Sequence, residues 1–140
     1  MSNKIKVTFS QPDENFENGN PYIHIANPNA AIDIRNQSNG NEIVIPMRKI
    51  KILFNYPLSK EVILEYQTLR SQGFTRSELA RCICRGYQNI YSEEQDTINN
   101  SLNGSGSCEQ YGIWGHNIDD LMLLGVEQKE GNLFALIVDS

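Results

Sequence analysis

SKEVILEYQTLRSQG, residues 59–73, follows Pro57-Leu58 and ends in a glycine. Read as a helix, it opens on Ser59 as a side-chain N-cap and stops at Gly73, where a left-handed residue can end the last turn. The segment beyond it gives Thr75 and Glu78 the spacing of a capping box, and places Leu79, Ile83, Tyr87, Ile90 and Tyr91 as one helical stripe. Two amphipathic helices joined at Gly73 predict an antiparallel helix pair in the middle of the chain.

On either side of that pair the pattern is β. KIKVTF (4–9) puts Ile5, Val7 and Phe9 on one side and Lys4, Lys6 and Thr8 on the other. YIHIA (22–26), AAIDIRN (30–36) and EIVI (42–45) are further short strand candidates, with Asn39-Gly40 as a hairpin signal and Pro46 as a stop. RKIKILFN (48–55) alternates Ile50, Ile52 and Phe54. Residues 92–110 are polar, rich in Asn, Ser and Gly and without period, which predicts a flexible internal loop. LMLLGVEQ (121–128) and NLFALIVD (132–139) flank Gly131 as a hairpin. The expectation is one α+β domain over residues 1–140: an antiparallel sheet built from the N- and C-terminal strands, with the central helix pair packed on one face. NLFALIVD is apolar on both faces, so it belongs either at the centre of a sheet or across a subunit boundary, which leaves a homo-oligomer open.

A chain of 140 residues is long enough for one core. At 39% hydrophobic and 21% charged it falls in the globular range. No apolar run approaches the ~20 residues needed to span a bilayer, and MSNKIKVTF lacks the apolar stretch of a signal peptide. The chain reads as soluble and intracellular, with no membrane partner. Eleven of its 12 basic residues precede position 92, and nine of its 17 acids follow it. Nucleic acid lying across the whole surface is disfavoured by that acidic final third, although the basic front remains open to it.

YGIWGHNIDDLM, residues 111–122, concentrates reactive residue types. If this stretch turns as a helix, His116, Asp119 and Asp120 fall on one side at i, i+3 and i+4, where they could orient a general base or hold a metal. The competing reading is architectural: Gly112 and Gly115 free the backbone for a sharp turn, Trp114 anchors that turn and the C-terminal hairpin in the core, and the acids cap a turn. The Tyr-Gly-Ile-Trp-Gly-His box, the following Asp-Asp-Leu and the closing Asp-Ser resemble the C-terminal box of uncharacterised small proteins of large DNA viruses of protists. Tyr-x-x-Leu-Arg-x-x-Gly (66–73) and Tyr-Gln-Asn-Ile-Tyr-x-x-Glu (87–94) extend the resemblance over residues 59–140. It implies helices at those two segments and a viral source, including a virion location, and attaches no activity.

QGFTRSELARCICRG (72–86) resembles the front of a helix-turn-helix, and Arg76, Arg81 and Arg85 are its candidate phosphate contacts, with Arg70, Arg48, Lys49 and Lys51 nearby. The pattern departs where the turn should be, since Cys84 stands where glycine is wanted and Gly86 comes later. Cys82, Cys84, Cys108 and His116 could be drawn as a zinc set, but a Cys-x-Cys inside a helix sends its thiols to different sides, and three cysteines make no disulfide framework. They read as small buried hydrophobes, and no metal or cofactor is expected. His24 reads as a strand residue on a polar face. No phosphate-binding lysine loop, dinucleotide fingerprint or nucleophile elbow is present. The expected function is a non-enzymatic interaction or structural protein with a protein partner. The alternatives are a nucleic-acid-binding protein and a small enzyme centred on His116 with Asp119 or Asp120.

Overall fold

In the computed structural model, which describes residues 4–12, 17, 19–101 and 111–140 (98–101 by backbone only), MLLGVEQKE and LFALIVD are paired strands. They are β7 (Met122–Glu130) and β8 (Leu133–Asp139), antiparallel and joined through Gly131 at φ +58°. One edge of β7 carries two short strands end to end. β1 (Lys6–Thr8) lies against residues 125–127 and β2 (Ile23–His24) against 122–123. The free edge of β8 meets β4 (Lys49–Phe54), and β4 pairs in turn with β5 (Val62–Gln67), giving the order β1-β7-β8-β4-β5 with β2 also beside β7. β8 is therefore hydrogen-bonded on both edges, with Phe134 buried and its other apolar residues partly exposed. A two-stranded ribbon of β3 (Ile43–Ile45) and β6 (Phe74–Thr75) leads into α2 (Arg76–Ser101), and α1 (Asn29–Asn36) packs beside β2 and α2.

Among the described residues the architecture is mixed α and β, with two α-helices, a six-stranded sheet and the two-stranded ribbon. Four expectations are corrected. First, β4 and β8 run parallel, in register Ile52↔Phe134, because the chain between them crosses over through α2. The sheet is thus not purely antiparallel. Second, the helix expected over 59–72 is β5, paired with β4 over six residues, so there is no central helix pair. Val62, Leu64 and Tyr66 turn inward while Ile63, Glu65 and Gln67 are exposed, and this period of two fits a strand that fills an open sheet edge. Gly73 does not stop a helix. It has φ +121°, and a Cβ built there would lie 2.1 Å from the Ile45 carbonyl oxygen, so only glycine allows the approach to β3.

Third, AAIDIRN is helical: Ala30, Asp33 and Ile34 are its buried residues, the spacing of one helix face. Fourth, residues 92–101 continue α2 instead of opening a loop. Residues 102–110 of that expected loop lie outside the described residues. The continuation has a physical reason in Glu94, which extends the stripe of Tyr87 and Ile90 by one turn, is only 4% exposed, and finds backbone donors there.

One face of the sheet is covered. Ile50, Ile52 and Phe54 of β4, Phe134 of β8 and Leu123 and Val126 of β7 are buried with Leu79, Ile83 and Tyr87 of α2 in a single apolar cluster. Each such side chain contributes about 1.5–3 kcal/mol on burial. The Phe54 and Tyr87 rings meet edge to face at 5.0 Å. Among the described residues no helix is long and apolar enough to cross a membrane.

Candidate functional site

Residues 111–114 are clamped from two sides. On one side, the amides of Tyr111, Gly112 and Ile113 donate to Oε2 of Glu94 at 3.1, 2.7 and 3.3 Å. On the other, the turn after β4 holds the same segment: the Ser59 amide donates to the carbonyls of Tyr111 and Gly112, the Ser59 hydroxyl donates to Gly112 O, and the Trp114 amide donates to Pro57 O. Ser59 thus pins a loop and caps no helix. Gly112 and Gly115 adopt φ +67° and +74°. The Tyr111 hydroxyl donates to the Glu93 carboxylate. Its own ionisation is pushed up to about 12 by burial first and by that bond and the charges of Glu93 and Glu94 second.

Trp114 is not in the core. With its backbone fixed, its side chain is 50% exposed and stands nearly perpendicular to the Tyr56 ring at 5.5 Å. This corrects the anchor role expected of it. The clamp holds Trp114 by its main chain and leaves the indole outside, while Ile113 and Tyr111 supply the packing against the core.

His116 lies beside this pair, 5.8 Å from the Tyr56 ring and 6.1 Å from Trp114. Its Nε2 is 3.0 Å from the Tyr56 hydroxyl and 3.3 Å from the Ser140 hydroxyl, which are themselves 2.6 Å apart. Its carbonyl accepts from Tyr91, whose hydroxyl ionisation is pushed up to about 12 by burial, then by Asp120 and Tyr56. Deeper in, the Tyr87 hydroxyl donates to Tyr56 O at 2.7 Å, holding the backbone that presents the Tyr56 ring.

The expected triad of His116, Asp119 and Asp120 does not assemble. His116 precedes the 3-10 turn Ile118–Asp120, so the helical spacing that would align the three is missing. Asp120 accepts from the Asn117 amide at 3.2 Å, and Asp119 is exposed. Among the described residues the imidazole of His116 bonds the Tyr56 and Ser140 hydroxyls and no carboxylate.

The arginines separate in the same way. Arg76 is a structural tie: its guanidinium donates to Thr8 O, Asn39 O and Glu42, and its side chain is 13% exposed. Arg81 and Arg85 are exposed on α2. α2 runs unbroken from Arg76 to Ser101, so the turn that a helix-turn-helix needs after its first helix does not form near Cys84 and Gly86. Cys82 and Cys84 face different neighbours, Cys82 towards β5 and Cys84 towards α1, where its thiol lies 3.7 Å from His24 O. Cys108 lies outside the described residues. Among the described residues no three His, Cys, Asp or Glu side chains converge on a metal position.

Two arrangements escaped the sequence reading. His24 Nδ1 lies 2.7 Å from Asp33 Oδ2, and that same oxygen accepts the His24 amide at 2.8 Å, tying β2 to α1. The helical spacing of Ala30, Asp33 and Ile34 was the available signal. The contacts of Tyr56 with His116 and Ser140 bridge 60 and 84 positions, and no local pattern announces them. Comparison with protein-family models, with curated proteins and with solved structures finds no match for this chain.

Proposed function

We propose that this is a non-enzymatic interaction protein, and that Trp114 with Tyr56 and His116 around it forms the centre of a surface for a protein partner. The observation that carries the reading is the combination at Trp114 of a backbone fixed by hydrogen bonds and a half-exposed indole. A large aromatic held in place loses little entropy on contact, and such residues dominate binding energy at interfaces. The rim suits the purpose: the Tyr56 and Ser140 hydroxyls and the His116 imidazole offer donors and acceptors around an apolar centre.

The enzyme alternative finds no support in the arrangement of His116 and the two acids. The nucleic-acid alternative keeps Arg81 and Arg85 and loses Arg76. A viral setting, suggested by the resemblance of residues 59–140, belongs to the same proposal.

Trp114 is the single tryptophan of the chain, so its emission reports this surface and no other. A partner captured from the protein's native context should shift that emission to the blue and protect it from acrylamide. Trp114→Ala should abolish capture while leaving the unfolding temperature within a few degrees. Capture undiminished by the substitution, or emission unmoved by the partner, would overturn the reading.

A further inference from the structure

β5 forms one edge of the sheet, and between it and α2 runs a groove of about 430 Å³ lined by Leu64, Tyr66, Arg81, Cys82, Arg85 and Asn89, with Glu65 and Glu78 at its margins. The phase of the strand is set by Thr68, whose amide donates to Arg48 O at 2.9 Å. Counting back in steps of two, Tyr66, Leu64 and Val62 turn their backbone groups to β4, while Gln67, Glu65 and Ile63 turn theirs away from the sheet. The edge therefore offers three residues' worth of outward donors and acceptors directly beside the groove. An edge of this kind is a template for another strand unless something blunts it. Proline is absent from β5, and no bulge interrupts its pairing with β4.

The charges of the groove are unequal in their availability. Glu78 is held by Arg70 at 3.0 Å and by the Thr68 hydroxyl at 2.8 Å, and Glu65 by Lys49 at 3.7 Å. Arg81 and Arg85, one helical turn apart, have no ion pair or hydrogen bond among the described residues. Arg81 and Arg85 thus line the groove together with the apolar Leu64 and Tyr66, and both also border the cleft between α2 and α1. Gly86 makes the fit possible, because a Cβ there would lie 2.6 Å from Phe54 and 2.7 Å from the Tyr66 hydroxyl, forcing α2 away from the sheet.

We propose that β5 and α2 receive an extended polypeptide strand, which adds to the sheet along Ile63–Gln67 and seats an acidic side chain against Arg81 and Arg85. Side chains of an added strand alternate, so those on the groove side fall beside Leu64, Tyr66 and the two arginines. The partner chemistry is a β-prone segment with a carboxylate flanked at i−2 and i+2 by aliphatic residues. This site shares no residue with the Trp114 surface, and the two proposals stand or fall separately.

The test uses the full chain, ¹⁵N-labelled, and the acetylated heptapeptide Thr-Ile-Thr-Glu-Thr-Ile-Thr-amide. Binding should shift the amide signals of Ile63, Glu65 and Gln67 and slow their hydrogen exchange at least tenfold. Arg81→Ala with Arg85→Ala should weaken binding at least tenfold without changing thermal unfolding, since both side chains are exposed and unpartnered. Replacing the peptide's Glu by Lys should abolish binding, as should N-methylation at alternate residues in one of the two phases. No binding of the acidic peptide overturns the proposal. So does binding that leaves the three amides unprotected, which is charge adsorption, and so does stronger binding of a single-stranded oligonucleotide that competes through the same arginines.

Discussion

Oε2 of Glu94 accepts the amide proton of Gly112 at 2.7 Å, from a position on α2 that is 4% exposed, and so joins the far end of the helix to the loop that carries Trp114. Replacing Glu94 by Ala leaves the amides of residues 111–113 without their acceptor and empties a buried site. The expected loss is about 2–4 kcal/mol, with Glu94→Gln intermediate because one oxygen remains. Urea unfolding of the two variants checks both the size and the order.

Trp114→Ala should be mild by comparison. The indole is half exposed, and its edge-to-face contact with Tyr56 contributes about 0.5–1.5 kcal/mol. Phe134→Ala, at a fully buried position in β8, should cost about 3–5 kcal/mol. Thermal melts of the pair distinguish a surface tryptophan from a core anchor.

Gly73→Ala separates two assignments of residues 59–73. A glycine that only ended a helix would cost about 1 kcal/mol on substitution. At φ +121°, with the added carbon 2.1 Å from Ile45 O and 2.8 Å from Pro46 Cα, the β3–β6 ribbon has to move, and the expected loss is ~3 kcal/mol or more. Circular dichroism and urea unfolding measure it.

Alkaline solution should weaken the fold in a defined window. Burial raises the Cys84 thiol from 9.0 to about 12 and the Tyr66 hydroxyl from 10.0 to about 12, and Tyr91 follows Tyr66. The unfolded chain gives up these protons from pH 9 upward while the folded chain keeps them, so the unfolded state binds fewer protons and stability falls as pH rises. The contribution is complete below pH 9 and declines between pH 9 and 12. Urea midpoints across that range, with tyrosinate absorbance recorded in parallel, test the sign and the window.

The strands near both ends of the chain were legible because residues such as Val7 and Phe9, or Phe134 against its neighbours, alternate between core and rim. Residues 59–72 were not. Val62, Ile63 and Leu64 are consecutive aliphatics that satisfy helix and strand templates equally, and only the open edge of β4 resolves the choice. Ala30 to Ile34 failed in the opposite sense: Ile32 and Ile34 alternate, but Ile32 is exposed and Asp33 is buried against His24. At the candidate site, the glycines at 112 and 115 marked a turn of the backbone, while the exposure of Trp114 depended on Tyr56 and Glu94, set 58 and 20 positions away in sequence.

The parallel pairing of β4 with β8 also has a meaning in time. Lys51 and Leu133, partners in the finished sheet, leave the ribosome 82 residues apart. At about 5–20 residues per second that separation lasts roughly 4–16 s, during which β4 can pair with β5 on one side only. A nascent chain therefore carries an open, aliphatic strand edge for seconds before its own β8 arrives to close it, and during that interval the edge is a template for any other strand that reaches it.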